Sequence, residues 1–306
     1  MLIIGENIHI ISAKVKEAFA DRDTRFIQDL AAHQVQHGAG MLDLNIGPQK
    51  RRGVEVMDWI VDAVQEVTDV PLSLDTTNAA AVEAGLKKVK RQAMINSTSA
   101  DPDRLNATMP MAAQYNAKII ALTMGKSGIP ATADVRVEMA MEVLIPKAME
   151  LGIPMSDLYL DPLVLTVNGC QEHGPETLNA VRFFKQLMDP PPMTTVGLSN
   201  ISNSVPHENR NLLNRTFLVM LMAAGLDSAI ADPLDEKQNE FIRIVEERDT
   251  STGLGSLLVA LYDKTAAMEE LEPSDVDMSD PDQAGVWKTV QILYNKVIYA
   301  HSYLRM

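Results

Sequence analysis

Eight short apolar runs, each closed by polar residues and separated from the next by a longer helical stretch, most narrow what this 306-residue chain can fold into. The runs are Leu2-Ile3-Ile4, Met41-Leu42-Asp43-Leu44-Asn45, Val70-Pro71-Leu72-Ser73-Leu74, Ala93-Met94-Ile95, Ile119-Ile120-Ala121-Leu122-Thr123, Leu158-Tyr159-Leu160, Thr195-Val196-Gly197-Leu198 and Ser228-Ala229-Ile230. Parallel strands covered by helices read as short continuous apolar runs of this kind. The intervening stretches have helical periodicity. Met57, Ile60, Val61 and Val64 recur at i, i+3, i+4 and i+7, and Phe26, Ile27, Leu30 and Ala31 form a similar stripe. Residues 135–149 and 214–224 also read as helices. Eight β/α units in one chain predict an α/β protein with a closed (β/α)8, or TIM, barrel. The competing open, doubly wound sheet would carry a glycine-rich first turn, which Gly5-Glu6-Asn7 is not.

The expected organisation is one domain over residues 1–306. One segment breaks the rhythm. Residues 250–285 are rich in Asp, Glu, Ser, Pro and Gly, with a short helical piece at 257–268, and read as an acidic, solvated insertion ahead of a terminal helix at 286–303. A formal charge of −14 repels a phosphate backbone and argues against nucleic acid as a partner. The single cysteine, Cys170, permits no intrachain disulfide and no Cys/His zinc pattern. No apolar run approaches a membrane span. Met1–Glu6 lacks the basic and apolar segments of a signal peptide. The expectation is a cytoplasmic protein without a membrane partner. His33 and His37 stand at i, i+4 but lack an acidic third ligand, so they read as a solvated helix face and no metal is expected.

Barrels of this kind build their sites where strands end. The strand ends here carry Glu6, Asp43, Asn45, Asp75, Asn78, Asn96, Ser97, Asp161, Ser199, Asn200 and Asp232. Carboxylates and carboxamides present paired donors and acceptors in one plane, which suits a flat heterocycle with amidine-type edges such as a pterin. A phosphate site would instead want glycine-rich backbone or cations. Each residue also has a structural reading. Asp75 or Asn78 is positioned to cap the following helix, Asn96-Ser97-Thr98 serves equally as a turn, and Asp43 as a buried structural acid. His173, after the sixth run, reads equally as a site residue and a surface histidine.

The strand-end motifs carry a resemblance. They are Leu2-Ile3-Ile4-Gly5-Glu6, Leu42-Asp43-Leu44-Asn45-Ile46-Gly47-Pro48, Leu74-Asp75-Thr76-Thr77-Asn78, Ala93-Met94-Ile95-Asn96-Ser97-Thr98, Leu158-Tyr159-Leu160-Asp161-Pro162-Leu163 and Gly197-Leu198-Ser199-Asn200-Ile201-Ser202. Through about residue 245 the chain resembles the pterin-binding methyltransferases that act between methyltetrahydrofolate and a corrinoid protein, such as the corrinoid/iron–sulfur protein methyltransferases. It is similar also to the folate domain of cobalamin-dependent methionine synthase and, more distantly, to dihydropteroate synthase. The resemblance implies that Asp75, Asn96 and Asp161 hold the pyrimidine edge of the pterin, with Asp43 among the binding residues. It also implies that Gly197 and Ser199 shape one wall, that Arg210 lies nearby, and that Asn200, with Asp161 and ordered water, stabilises the proton or charge developing at N5. Methyltetrahydrofolate or tetrahydrofolate would be the substrate. The corrinoid (cobalamin) would arrive on a partner protein, since no Asp-x-His-x-x-Gly segment is present to hold one base-off. A homodimer is the implied assembly.

Departures from the pattern are Asn7 and His9 in place of Arg and Asn, Asn203 in place of Gln, a longer stretch between Asn200 and Arg215, and the acidic segment. The alternatives are the same chemistry run from methylcorrinoid to tetrahydrofolate, a dihydropteroate synthase-like enzyme, and a non-catalytic folate-binding protein. The synthase would need a Lys/Arg pair where Asn200 and Asp232 stand.

Overall fold

A computed structural model of the chain describes residues 1–304. Eight parallel strands close into a barrel in chain order: β1 (Leu2–Gly5), β2 (Met41–Asn45), β3 (Leu72–Asp75), β4 (Met94–Ser99), β5 (Lys118–Leu122), β6 (Leu158–Asp161), β7 (Met193–Gly197) and β8 (Ser228–Ala231). The ring is sealed by β1 lying on β8, with Leu2 opposite Ser228 and Gly5 opposite Ala231. The helices are α1 (Ala13–Asp21), α2 (Thr24–Gln36), α3 (Gly53–Gln65), α4 (Ala79–Leu86), α5 (Pro102–Gln114), α6 (Ala133–Met139), α7 (Ile145–Glu150), α8 (Val167–Cys170), α9 (His173–Phe184), α10 (His207–Ala223), α11 (Glu236–Glu247), α12 (Gly253–Ala266) and α13 (Pro281–Leu293).

Strand periodicity sorts the side chains. Alternate residues of a strand face opposite sides. One set, including Leu42, Leu44, Leu74, Ile95, Ile119, Leu160 and Val196, faces outward into the core shared with the helices. The other set turns inward, and Ile4, Met41, Met94, Ile120 and Tyr159 plug the barrel. Two residues further along the same inward register stand Glu6, Asp43, Asn96 and Asp161. The predicted α3 stripe is realised: Met57, Ile60, Val61 and Val64 are fully buried, each stabilising by about 1.5–3 kcal/mol.

Several local expectations need correction. Asn96 lies inside β4, not at its end. A register shift between Asn96 and Thr98 lets the strand resume pairing with β5 as far as Ser99. The helix expected over 135–149 contains a wide π turn at Ala140–Leu144. Pro146 in the following turn has no N–H to donate, and the backbone widens ahead of it. α10 begins at His207, not 214, entered through Pro206. Within the acidic segment, α12 buries Leu257, Leu258 and Leu261 against the barrel's outer layer, whereas residues 266–270 and 277–279 are exposed. The last helix is Pro281–Leu293, earlier than the expected 286–303. Asp280 caps it through the N–H groups of Asp282 and Gln283, Pro281 opens it, and Asn295 leaves in a left-handed conformation. Among the described residues, no helix is long and apolar enough to cross a membrane.

Candidate active site

The strand ends enclose a cavity of about 640 Å³ at the C-terminal mouth of the barrel. Every residue singled out from the sequence as catalytic or pterin-binding lines it: Asp43, Asp75, Asn96, Asp161, Gly197, Ser199, Asn200 and Arg210. The inward register explains why. Each acid or amide of β2, β3, β4 and β6 stands on the interior face above the apolar plug, Asp75 and Asp161 at the ends of their strands and Asp43 and Asn96 two residues beyond the plug residues Met41 and Met94.

Neighbouring strands tie these side chains together. Asp43 Oδ1 accepts from Ser73 Oγ at 2.6 Å and from Asn96 Nδ2 at 3.1 Å. Asn45 Nδ2 donates to Asp75 Oδ2, and Asn45 Oδ1 accepts from Gly47 N–H. Asp161 Oδ1 accepts the N–H of Leu163 at 2.7 Å, which leaves its second oxygen toward the cavity. Leu163 holds a positive φ of 69°, rare for a leucine, and that turn brings its N–H back onto Asp161. Asp75 does not cap α4. Asn78 does, accepting from Ala81 N–H, while its own amide donates to Gln49 O. That frees Asp75 for the cavity and takes Asn78 out of it.

Burial governs the electrostatics. It pushes the Asp161 carboxyl up to about 7, against the opposing pull of Leu163 N–H and the Arg136 guanidinium. Burial likewise pushes Glu6 up to about 7, with Asp232 and Asp43 adding to the rise and the Ser199 hydroxyl, donating at 2.6 Å, opposing it. Burial raises both Asp43 and Asp75, and the charge of Asp43 raises Asp75 further. The cavity gathers carboxyls whose titration burial moves toward neutrality, and in their ionised form they match donor-rich ligands. Arginine reaches the lining at Arg210, which is exposed and whose Nε donates to Val205 O at 2.7 Å.

Asn200 lies in a 3-10 turn after β7 (Leu198–Ser202), is exposed, and accepts from Asn203 Nδ2 at 3.0 Å. No direct hydrogen bond joins it to Asp161 among the described residues. The sequence reading included Arg210 but missed its neighbours on the face of α10 that borders the cavity: His207, Asn211 and Asn214. These polar positions recur at helical spacing, a signal lost when the helix is started at Asn214. The buried Oδ1 of Asn214 has no partner. His9 and Asp232 also line the wall. His173 does not. It opens α9 and lies against Arg136. His33 and His37 sit edge to face at the end of α2, where His37 Nδ1 lies 2.8 Å from His33 O. Among the described residues no group of three or more His, Cys, Asp or Glu is placed to hold a metal ion.

The chain is similar to several known proteins. A methylcorrinoid:tetrahydrofolate methyltransferase of Eubacterium limosum is 29% identical over 235 residues, covering 76% of this chain and 85% of its own length. The methionine synthase of Mycobacterium leprae is 33% identical over 240 residues, which are 75% of this chain but 20% of that much longer protein. Among solved structures, a dihydropteroate synthase of Thermus thermophilus superposes with a TM-score of 0.57 at 18% identity, over 81% of this chain and 92% of that one, a likeness of fold alone. Residues 12–232 match the model of the pterin binding enzyme family, and with that span the chain belongs to it.

Proposed function

We propose that this chain is a methyltransferase that moves the N5-methyl group between methyltetrahydrofolate and the cobalt of a corrinoid carried by a partner protein. The observation that carries the reading is the convergence of Asp43, Asp75, Asn96 and Asp161 on one cavity from the inward faces of four strands. A reduced pterin offers an amino group and a ring N–H side by side, and a carboxylate accepts both at once. Asp161, with an oxygen free toward the cavity, takes that edge, and Asn96 and Asp75 complete it. The carboxyl cluster disfavours the dihydropteroate synthase alternative, because a pyrophosphate entering it would meet acids and amides at the β7 and β8 ends, Asn200 and Asp232 among them.

N5 of the pterin is a poor leaving group unless it gains a proton or a strong hydrogen bond as the methyl departs. Asn200, at the mouth, supplies that contact, and Asp161 and ordered water extend the network behind it. Donors that strengthen only as charge develops lower the barrier rather than tighten the resting complex. Alignment of the two methyl-exchanging centres carries much of the remaining rate. The corrinoid is a substrate delivered to the open mouth. By microscopic reversibility the same residues serve both directions, and the name of the Eubacterium limosum relative favours transfer from methylcorrinoid to tetrahydrofolate. Residues 1–306 act as one pterin-binding unit, in the cytoplasm, as a homodimer.

The test is spectroscopic. Protein mixed anaerobically with methyltetrahydrofolate and cob(I)alamin should bleach the cob(I) band, and Asp75→Ala and Asn200→Ala should slow the bleaching. An unchanged spectrum with folded wild-type protein, also in the reverse direction with methylcobalamin and tetrahydrofolate, removes the reading.

A further inference from the structure

Behind the site lies a cation that the proposed chemistry has not used. Arg136, on α6, is fully buried. Its partners are Pro130 O, reached by Nε and Nη2 at 3.2 Å, Thr177 Oγ1, reached by Nη1 at 3.0 Å, and His173 Nδ1, 2.8 Å from Nη2. All are neutral acceptors, since an imidazole nitrogen facing a guanidinium must present its lone pair. A buried guanidinium is strongly disfavoured unless an opposite charge senses it. The carboxyls that do so are Glu176 on α9 and, to a lesser degree, Asp161 at the end of β6. Glu176 is also bound locally, accepting the N–H of Ala133 at 2.6 Å.

The hydrogen bonds lead to the same place. Thr177 Oγ1 lies 3.1 Å from Leu163 O and 2.9 Å from His173 O, and Leu163 N–H is the donor that fixes Asp161. Leu163 holds its left-handed backbone only where surroundings fix it. α6 and α9 are thereby clamped to the turn that presents the carboxylate.

We infer that Arg136 is a positioning residue for Asp161: its path through Thr177 and Leu163 keeps that carboxyl aimed at the donor edge of a bound pterin, and its buried charge favours the carboxyl's ionised form. The inference rests on the reading that Asp161 meets the pterin. The titratable and charged groups around the pair are few. His173, Glu176 and, beside the histidine, Glu172 come from α9 or its entrance, and Arg136 is the charged side chain that acts on Asp161.

The sign is fixed. An ionised Asp161 accepts both of the ligand's N–H groups, whereas a protonated one has an O–H that opposes one of them. Neutralising residue 136 moves the titration of Asp161 to higher pH. Affinity is then lost below the new midpoint, by about tenfold for each pH unit the midpoint moves, and is unchanged above it.

The experiment is a calorimetric titration with tetrahydrofolate, under argon, from about pH 6 to pH 9. Arg136→Gln, which keeps N–H donors but no charge, should bind about tenfold or more weakly than wild type at pH 6 and converge on it by pH 9. Arg136→Lys should keep the wild-type profile. Glu176→Gln, which retains an acceptor for Ala133 but no longer offsets the guanidinium, should extend binding to lower pH. A loss in Arg136→Gln that is the same at every pH, or no loss, overturns the inference. If Arg136→Gln does not fold, an unmoved or upward-moved acid limb in Glu176→Gln overturns it alone. Wild-type protein that binds no tetrahydrofolate at any pH removes the pterin reading and this inference together, whereas the preceding outcomes leave that reading standing.

Discussion

Replacing Asp161 by Asn should make the unliganded protein more stable at alkaline pH while abolishing its affinity for folate. Asp161 is 7% exposed, so solvent screens it little. Its carboxyl is raised from 3.8 to about 7, chiefly by burial. A folded-state value above the unfolded one means that stability is fully present below 3.8 and is lost as pH rises through 7. The shift of about three units corresponds to about 4 kcal/mol at most, lost in full only above pH 7. An asparagine cannot ionise, and its Oδ1 still accepts Leu163 N–H. The advantage of Asp161→Asn over wild type should therefore grow by about 2.5 kcal/mol between pH 5 and pH 8.5. Urea unfolding at the two pH values measures it. Repeating the series with tetrahydrofolate at about a hundred times its Kd should stabilise wild type by about 2.7 kcal/mol and leave the variant unmoved. An advantage that is flat with pH, or that reverses, would refute the claim that burial moves the titration of this carboxyl up toward neutrality.

Other expectations follow from named contacts. Asn200→Ala should lower kcat for methyl transfer by about 10²–10³ while changing the folate Kd only slightly, read by the cob(I) assay alongside calorimetry. Arg215→Ala breaks the two-pronged pair with Asp235, in which Nε lies 2.8 Å from Oδ2. It should cost about 2 kcal/mol in urea unfolding, because the half-buried Asp235 loses its cation and keeps only the N–H of Gln238. Gly5→Ala would set a methyl group on Gln34 Oε1, the acceptor that holds Asn7 N–H at 3.0 Å. It should cost about 1–3 kcal/mol in thermal unfolding and weaken folate binding by displacing Glu6.

The eight strands were legible because parallel strands under helices carry short apolar runs, and the acids were legible because they interrupt or end those runs. Asp43 and Asp161 fall two residues beyond Met41 and Tyr159, and strand periodicity alone puts each above the barrel plug. Boundaries were legible where a cap marks them, as at Asn78. The start of α10 was hidden because its first two turns expose a polar face to the cavity, and no apolar stripe announces them. The terminal helix was misplaced because its start is set by Asp280 and Pro281, which in an acidic run look like loop. Arg136 was invisible as a feature. One arginine in a helix carries no sign that it will be fully buried, and only the packing of α6 on α9 reveals it.

A crystal structure with methyltetrahydrofolate bound would bear most directly on the claim that these strand-end acids and amides form a pterin pocket. The bicyclic ring should lie in the barrel mouth, with its amino and N–H edge on Asp161 and Asn96 and its N5-methyl facing Asn200 and solvent. A ring found elsewhere on the protein, or seated with that edge turned away from Asp161, would contradict it.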